Sequence, residues 1–134
     1  MSSPVVVGVY GSLRRGASAN GLLNGAKYLG SDKVKGNLFN LGAYPGLLLC
    51  RAEKMQKEVV VDLYQLPEEK GMLKTLDRYE SYFPDREEES LYTRKTVVTL
   101  EGCMKIYVYV YCGRCDARWE VVPPDWIEFQ QQKK

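Results

Sequence analysis

Histidine does not occur anywhere in the 134 residues. Its absence excludes Ser-His and Cys-His catalysis together with the commonest metal ligand. Proton transfer therefore falls to a carboxylate, a tyrosine, a lysine, a cysteine or water. Long apolar runs are missing too, and no stretch approaches the length that spans a bilayer. The N-terminus lacks the basic segment and long apolar segment of a secretory leader, so the expectation is a cytoplasmic protein. Charge imbalance is slight: 19 Lys and Arg stand against 17 Asp and Glu, a net charge of +2. That is no footprint for nucleic acid, and the expected partner is a small molecule rather than nucleic acid or membrane.

Cysteine is sparse and poorly grouped. Cys112-Gly113-Arg114-Cys115 has a spacing seen in zinc and redox sites. The other two, Cys50 and Cys103, form no second close pair, and no histidine can complete a mixed site. The four read as reduced thiols, with no metal expected.

What is present fits an ordinary globular chain, with 45% apolar and 27% charged residues. Its length predicts one domain over residues 1–134. Val5–Tyr10 is β-branched and continuous, which predicts a buried strand. Asn20–Leu29 places Leu22, Leu23, Ala26 and Leu29 at helical spacing, interrupted by Gly21 and Gly25. Gly36–Leu41 and Glu58–Leu66 read as strands, with Tyr44-Pro45-Gly46 as a turn between them. Pro67 followed by Glu68 and Glu69 predicts a helix start, and the helix runs to about Tyr79. Thr93–Leu100 and Lys105–Cys112 predict a hairpin around Glu101-Gly102. In its second strand Tyr107, Tyr109 and Tyr111 share one face and Val108 and Val110 the other. After Pro123-Pro124 a tail packs through Trp126 and Phe129, and Gln130–Lys134 is expected to fray. The class is α+β, built on a curved or barrel-like sheet.

Two segments carry candidate chemistry. Leu73 and Leu76 lie seven and four residues before Glu80, so all three share one face of the predicted helix. Glu80 then follows the leucines inward, near a helix C-terminus that disfavours negative charge. Both effects raise a carboxylate's pKa, which suits a proton acceptor. The competing reading ends the helix at Asp77 and leaves Glu80 in solvent or paired with Arg78. The second segment is Tyr10-Gly11-Ser12-Leu13-Arg14-Arg15-Gly16, where a strand breaks into a glycine-flanked loop. Such a loop can aim several backbone N–H groups at one anion, with Gly11 allowing close approach and unusual dihedrals. Ser12 adds a hydroxyl, and Arg14 or Arg15 is a candidate for attracting a carboxylate. A plain strand-to-helix turn needs the same glycines, and a Walker loop is excluded by the missing Gly-Lys-Ser/Thr. Tyr92 and Arg94, on alternate residues, share a strand face and line either a cavity or an ordinary sheet surface.

Taken together these segments resemble the γ-glutamylcyclotransferase-like, or AIG2-like, superfamily. The series starts with Val9-Tyr10-Gly11-Ser12-Leu13-Arg14-Arg15-Gly16, Asn20 with Leu22-Leu23, Gly36-Asn37-Leu38-Phe39, and Leu41-Gly42-Ala43-Tyr44-Pro45-Gly46. Val61-Asp62-Leu63-Tyr64, Leu76-Asp77-Arg78-Tyr79-Glu80 and Ser90-Leu91-Tyr92-Thr93-Arg94 continue it, and Val108-Tyr109-Val110-Tyr111 and Asp125-Trp126 close it. The resemblance implies a small mixed β-barrel with flanking helices and a cavity at one end. It implies Glu80 as the catalytic proton acceptor and Tyr10, Gly11, Ser12 and Leu13 as the cradle of a γ-glutamyl substrate, with Tyr92 and Arg94 beside them. The implied reaction releases an amine and 5-oxoproline, and needs no metal, cofactor or histidine. Gly21 stands where many relatives carry histidine, and Val61 where a glycine is common. The Ser90-Leu91-Tyr92 region looks like that of the short bacterial and phage members. Two alternatives to the enzyme remain on sequence grounds: a non-catalytic ligand-binding or protein-interaction module on the same fold, and a thiol or metal protein using Cys112 and Cys115.

Overall fold

A computed structural model describes residues 4–42, 44–49, 55–67 and 71–132. Its strands are β1 (Val6–Val9), β2 (Lys27–Asn40), β3 (Pro45–Leu48), β4 (Lys57–Gln65), β5 (Tyr92–Val98) and β6 (Lys105–Tyr111). The helices are α1 (Gly71–Tyr79) and α2 (Trp126–Gln132), with short 3-10 turns at Asn20–Leu23, Glu87–Glu89 and Ala117–Trp119. The fold is α+β, as the sequence predicts. None of the described helices is long and apolar enough to cross a membrane.

The sheet order is β3-β2-β4-β1-β6-β5. Strand β1 lies at its centre, antiparallel to β4 from Val6↔Gln65 to Val9↔Asp62 and parallel to β6 at Val7↔Tyr107. The remaining pairings are antiparallel, including the β5–β6 hairpin from Tyr92↔Tyr111 to Val98↔Lys105. The sheet curls without closing. Its two ends approach where the Tyr92 hydroxyl donates to the Pro45 carbonyl at 2.7 Å, tying β5 to β3. Gly46 permits that approach, since a Cβ there would stand 3.0 Å from the Cβ of Tyr111.

The period-two alternation of β1 and β6 feeds two cores. Val6, Val108 and Val110 join Val34, Leu38, Leu47, Val59, Val61 and Trp126 on one side. Val7, Val9 and Tyr109 join Leu13, Leu23, Tyr64, Leu76, Tyr82 and Tyr92 on the other, beneath α1. The observed faces of β6 match the tyrosine and valine faces read from the sequence.

Several expectations are corrected. No helix spans Asn20–Leu29: a 3-10 turn occupies Asn20–Leu23, Gly25 takes a positive φ of 98°, and Lys27 already pairs with Gln65 of β4. Tyr44-Pro45-Gly46 is not the turn. The chain reverses earlier, where Leu41 N–H donates to Tyr44 C=O at 3.0 Å and Gly42 has φ +108°. Pro45 and Gly46 then belong to edge strand β3, where a proline's missing N–H is tolerated. The expected helix is present over Gly71–Tyr79, and 68–70, where its start was expected to continue from Pro67, lie outside the described residues. Gln130–Gln132 form the last turn of α2, whose N-terminus Asp125 caps by accepting from Glu128 N–H at Oδ1, 3.1 Å away; 133–134 lie outside the described residues. Cys50 lies outside the described residues.

Candidate active site

Beyond the C-terminal end of β1 the chain turns through Tyr10–Leu13, and α1 ends beside it. A cavity of about 320 Å³ opens between them. Tyr10, Gly11, Ser12, Leu13, Glu80 and Tyr92 all line it, so six of the nine residues singled out from the sequence come together. Arg94 does not. Its guanidinium is held by Asp77 at 2.6 and 2.7 Å and lies over the rings of Tyr107 and Tyr82.

Glu80 reaches the cavity through the way α1 ends. Its N–H donates to Leu76 C=O at 2.9 Å, which continues the helical ladder and keeps Glu80 on the side of buried Leu76. The next residue, Ser81, has φ +54°. Ser81 N–H donates to Arg78 C=O and Tyr82 N–H to Asp77 C=O, a Schellman stop with serine in the place glycine usually takes. A left-handed residue with a side chain costs about 1–2 kcal/mol, and such strain concentrates at functional sites. Ser81→Gly should therefore stabilise the protein by about 1 kcal/mol in denaturant unfolding; an unchanged midpoint would show that Ser81 is not strained.

Glu80 is half-buried, and burial pushes its carboxyl from 4.5 to about 7. No lysine or arginine among the described residues forms an ion pair with it. This removes the alternative in which Arg78 neutralises it. Three tyrosines feel its charge. Burial raises the phenols of Tyr10 and Tyr92, with Glu80 the next cause for each. Tyr109 is raised by burial first, then by its hydrogen bond to Asp77, with a smaller push from Glu80.

The facing loop is held on every side. The Tyr10 hydroxyl donates to Tyr109 C=O at 2.5 Å and accepts from Leu47 N–H at 3.3 Å. Ser12 Oγ and the Tyr79 hydroxyl lie 2.6 Å apart, a direct link from the loop to the end of α1. Asn20 Nδ2 donates to Leu13 C=O at 2.8 Å. Gly11 is required for close approach, because a Cβ would come within 2.8 Å of Pro45 Cγ; its φ is not positive, so the unusual dihedral expected there is absent. The N–H groups of Gly11, Ser12 and Leu13 find no internal acceptor among the described residues.

The arginines do not serve as carboxylate bait. Arg14 is buried, its Nε 3.1 Å from Asp62 and its Nη1 2.6 Å from Asp125. Arg15 lies over the ring of Tyr28, and its N–H donates to Asp62. Sequence reasoning also passed over Tyr44, Pro45, Tyr79, Ser81, Leu91 and Tyr109 as cavity residues. Tyr109 lines the cavity while its hydroxyl donates to Asp77 at 2.6 Å. Among the described residues no group of three or more His, Cys, Asp or Glu side chains is placed to hold a metal. Cys112 is exposed, with its Sγ 2.9 Å from Thr93 Oγ1.

Residues 7–128 match the family described as gamma-glutamyl cyclotransferase, AIG2-like. The chain belongs to that family. Membership gives the general kind of enzyme, a cyclotransferase. The fold is shared with solved structures at low identity. An uncharacterized protein from Pyrococcus horikoshii has a TM-score of 0.72 and 19% identity, over 96% of this chain and 95% of that one. YkqA from Bacillus subtilis has a TM-score of 0.74 and 20% identity, over 98% of this chain and 44% of that one. An AIG2-like protein from Mus musculus has a TM-score of 0.63 and 21% identity, over 88% of this chain and 83% of that one. No curated protein matches the chain.

Proposed function

We propose that the protein cyclises a γ-glutamyl amine or γ-glutamyl peptide to 5-oxoproline with release of the amine, and that Glu80 is the general base. The observation that carries this is a carboxyl raised to about 7, without an ion-pair partner among the described residues, sharing a small cavity with a loop whose amides lack acceptors among them. A pure anion-binding module gains nothing from a carboxylate in its pocket, which favours the enzyme over the non-catalytic reading.

The substrate's α-carboxylate takes the N–H groups of Gly11, Ser12 and Leu13, which need an acceptor when buried beneath a ligand. Its α-amine, with a pKa near ~8, arrives mostly protonated at neutral pH and must lose a proton to become a nucleophile. Glu80 takes that proton, and the nitrogen attacks the substrate's own γ-carbonyl, closing a five-membered ring. The ring nitrogen then sheds its second proton to solvent, the bond from the γ-carbon to the departing nitrogen breaks, and Glu80 returns the proton it took to that nitrogen. No water is consumed. A carboxyl near 7 suits both halves of this shuttle, since it accepts and donates with small driving force either way. Holding amine and carbonyl in one small cavity favours ring closure further.

The test is incubation with a panel of γ-glutamyl amines and γ-glutamyl dipeptides, with 5-oxoproline followed by mass spectrometry. Formation of 5-oxoproline and free amine in equal amounts is expected. Release of glutamate instead would mean that water is the nucleophile and that the cyclising mechanism is wrong.

A further inference from the structure

Large apolar side chains that stand exposed one by one call for no explanation, but several around a single opening do. Tyr44 is 41% exposed, Tyr79 44% and Leu91 38%, and all three line the cavity that holds Glu80. Behind them the aromatic surface continues inward. The rings of Tyr44 and Tyr92 lie 6.4 Å apart and tilted, and those of Tyr92 and Tyr111 5.5 Å apart edge to face. These are the spacings at which aromatic rings attract through their quadrupoles, and the outermost ring, Tyr44, retains exposed surface for another partner.

The polar end of the cavity is already committed. The loop amides and Glu80 serve the glutamyl group, so the aromatic rim faces whatever is attached to the γ-carbonyl. Glu80 is the one charged side chain among the described lining residues, and no lysine or arginine joins it there. The cavity, at about 320 Å³, is at the small end of the range for ligand sites, about 300–1,000 Å³, which suits a glutamyl group and one ring rather than a long peptide.

We propose that the amine released by this protein is an arylalkylamine, whose ring seats among Tyr44, Tyr79 and Leu91. The proposal rests on the cyclising reaction above and names its leaving group. Tyr44 contributes a ring face, Leu91 an apolar contact, and Tyr79 the body of a ring whose hydroxyl is held by Ser12. A flexible alkyl chain covers the same surface without the quadrupole match and orders more rotors on binding.

The experiment compares kcat/KM for γ-glutamylphenethylamide, γ-glutamylhexylamide and γ-glutamylethylamide. The phenethylamide should exceed the ethylamide by about tenfold to a hundredfold, the scale of filling an apolar subsite, with the hexylamide between them. In Tyr44→Ala the phenethylamide-to-ethylamide ratio should fall by about tenfold, and Tyr44→Phe should preserve it. Equal rates for all three, a hexylamide as good as the phenethylamide, or a ratio unaffected by Tyr44→Ala would overturn the proposal. If no amide yields 5-oxoproline, the cyclising reaction has failed and calorimetry with the same three ligands decides the subsite. Tenfold tighter binding of the phenethylamide then supports the aromatic subsite, and equal or absent binding overturns it.

Discussion

Glu80→Gln should bind a γ-glutamyl substrate and turn it over at least ~100-fold more slowly than the parent, the usual scale for a positioned acid–base group. The amide keeps the shape of the carboxyl and cannot take the proton. Wild-type kcat/KM should rise with pH as Glu80 ionises at about 7, and loss of the free substrate's α-amine proton near ~8 should not reverse the rise, because the neutral amine is the nucleophile. The rise at about 7 should vanish in the variant. Stability should move the other way. Burial raises the folded carboxyl from 4.5 to about 7, so between those values the folded state holds a proton that the unfolded chain has lost. Wild-type stability therefore declines as pH rises from about 4.5 to 7, by on the order of 3 kcal/mol once Glu80 is fully ionised. Glu80→Gln lacks this decline, so it should be the more stable protein at pH 8 and nearly equal at pH 4.5. Glu88→Gln, in an exposed 3-10 turn, is the control for both measurements. Wild-type turnover by Glu80→Gln on an authentic substrate would assign the base to another group.

Glu80 was legible in the sequence because its argument is local. Leucines four and seven residues earlier fix its side of the helix, and the structure adds only the Schellman stop that ends the helix there. The β1 strand and the β5–β6 hairpin were legible for the same reason, through runs of alternating or continuous apolar residues. The start of β2 was not. Leu22, Leu23, Ala26 and Leu29 imitate a helix, and the strand's own alternation is masked by a buried aspartate. Asp32 points inward because it serves a distant element: its carboxylate accepts from the N–H groups of Glu101 and Gly102 at 3.0 Å each, and from Lys33 at 2.7 Å. Those backbone bonds outweigh the cost of burial and hold its pKa below the ordinary value. Arg94 was misplaced by a similar long-range pairing. Its position on the strand follows from alternation, but its commitment to Asp77 depends on how α1 docks.

The same lesson bears on Arg14, whose substitution should have the largest effect on stability. In sequence it belongs to the anion loop; in the fold its partners are 48 and 111 residues away. Burial works against its charge, yet the hydrogen bonds and charges of Asp62 and Asp125 more than offset this and raise its pKa. Asp62 is nearly inaccessible, its side chain 3% exposed, and also accepts from Arg15 N–H and Ser31 Oγ. Asp125 caps α2 with the same oxygen that meets Arg14. Arg14 thus joins the loop after β1, strand β4 and the C-terminal helix at one point. Arg14→Met keeps most of the side chain's volume but leaves two carboxylates facing a thioether, and should cost about 3–5 kcal/mol in denaturant unfolding. Activity should fall as well, because the Tyr10–Leu13 cradle loses its anchor one residue downstream. Adding Asp62→Asn to Arg14→Met should recover part of the lost stability, since the unpaired buried charge is then removed along with its partner. An unfolding midpoint unchanged in Arg14→Met, or a double variant whose loss equals the sum of the two single losses, would show that the ion pair is not what holds the loop.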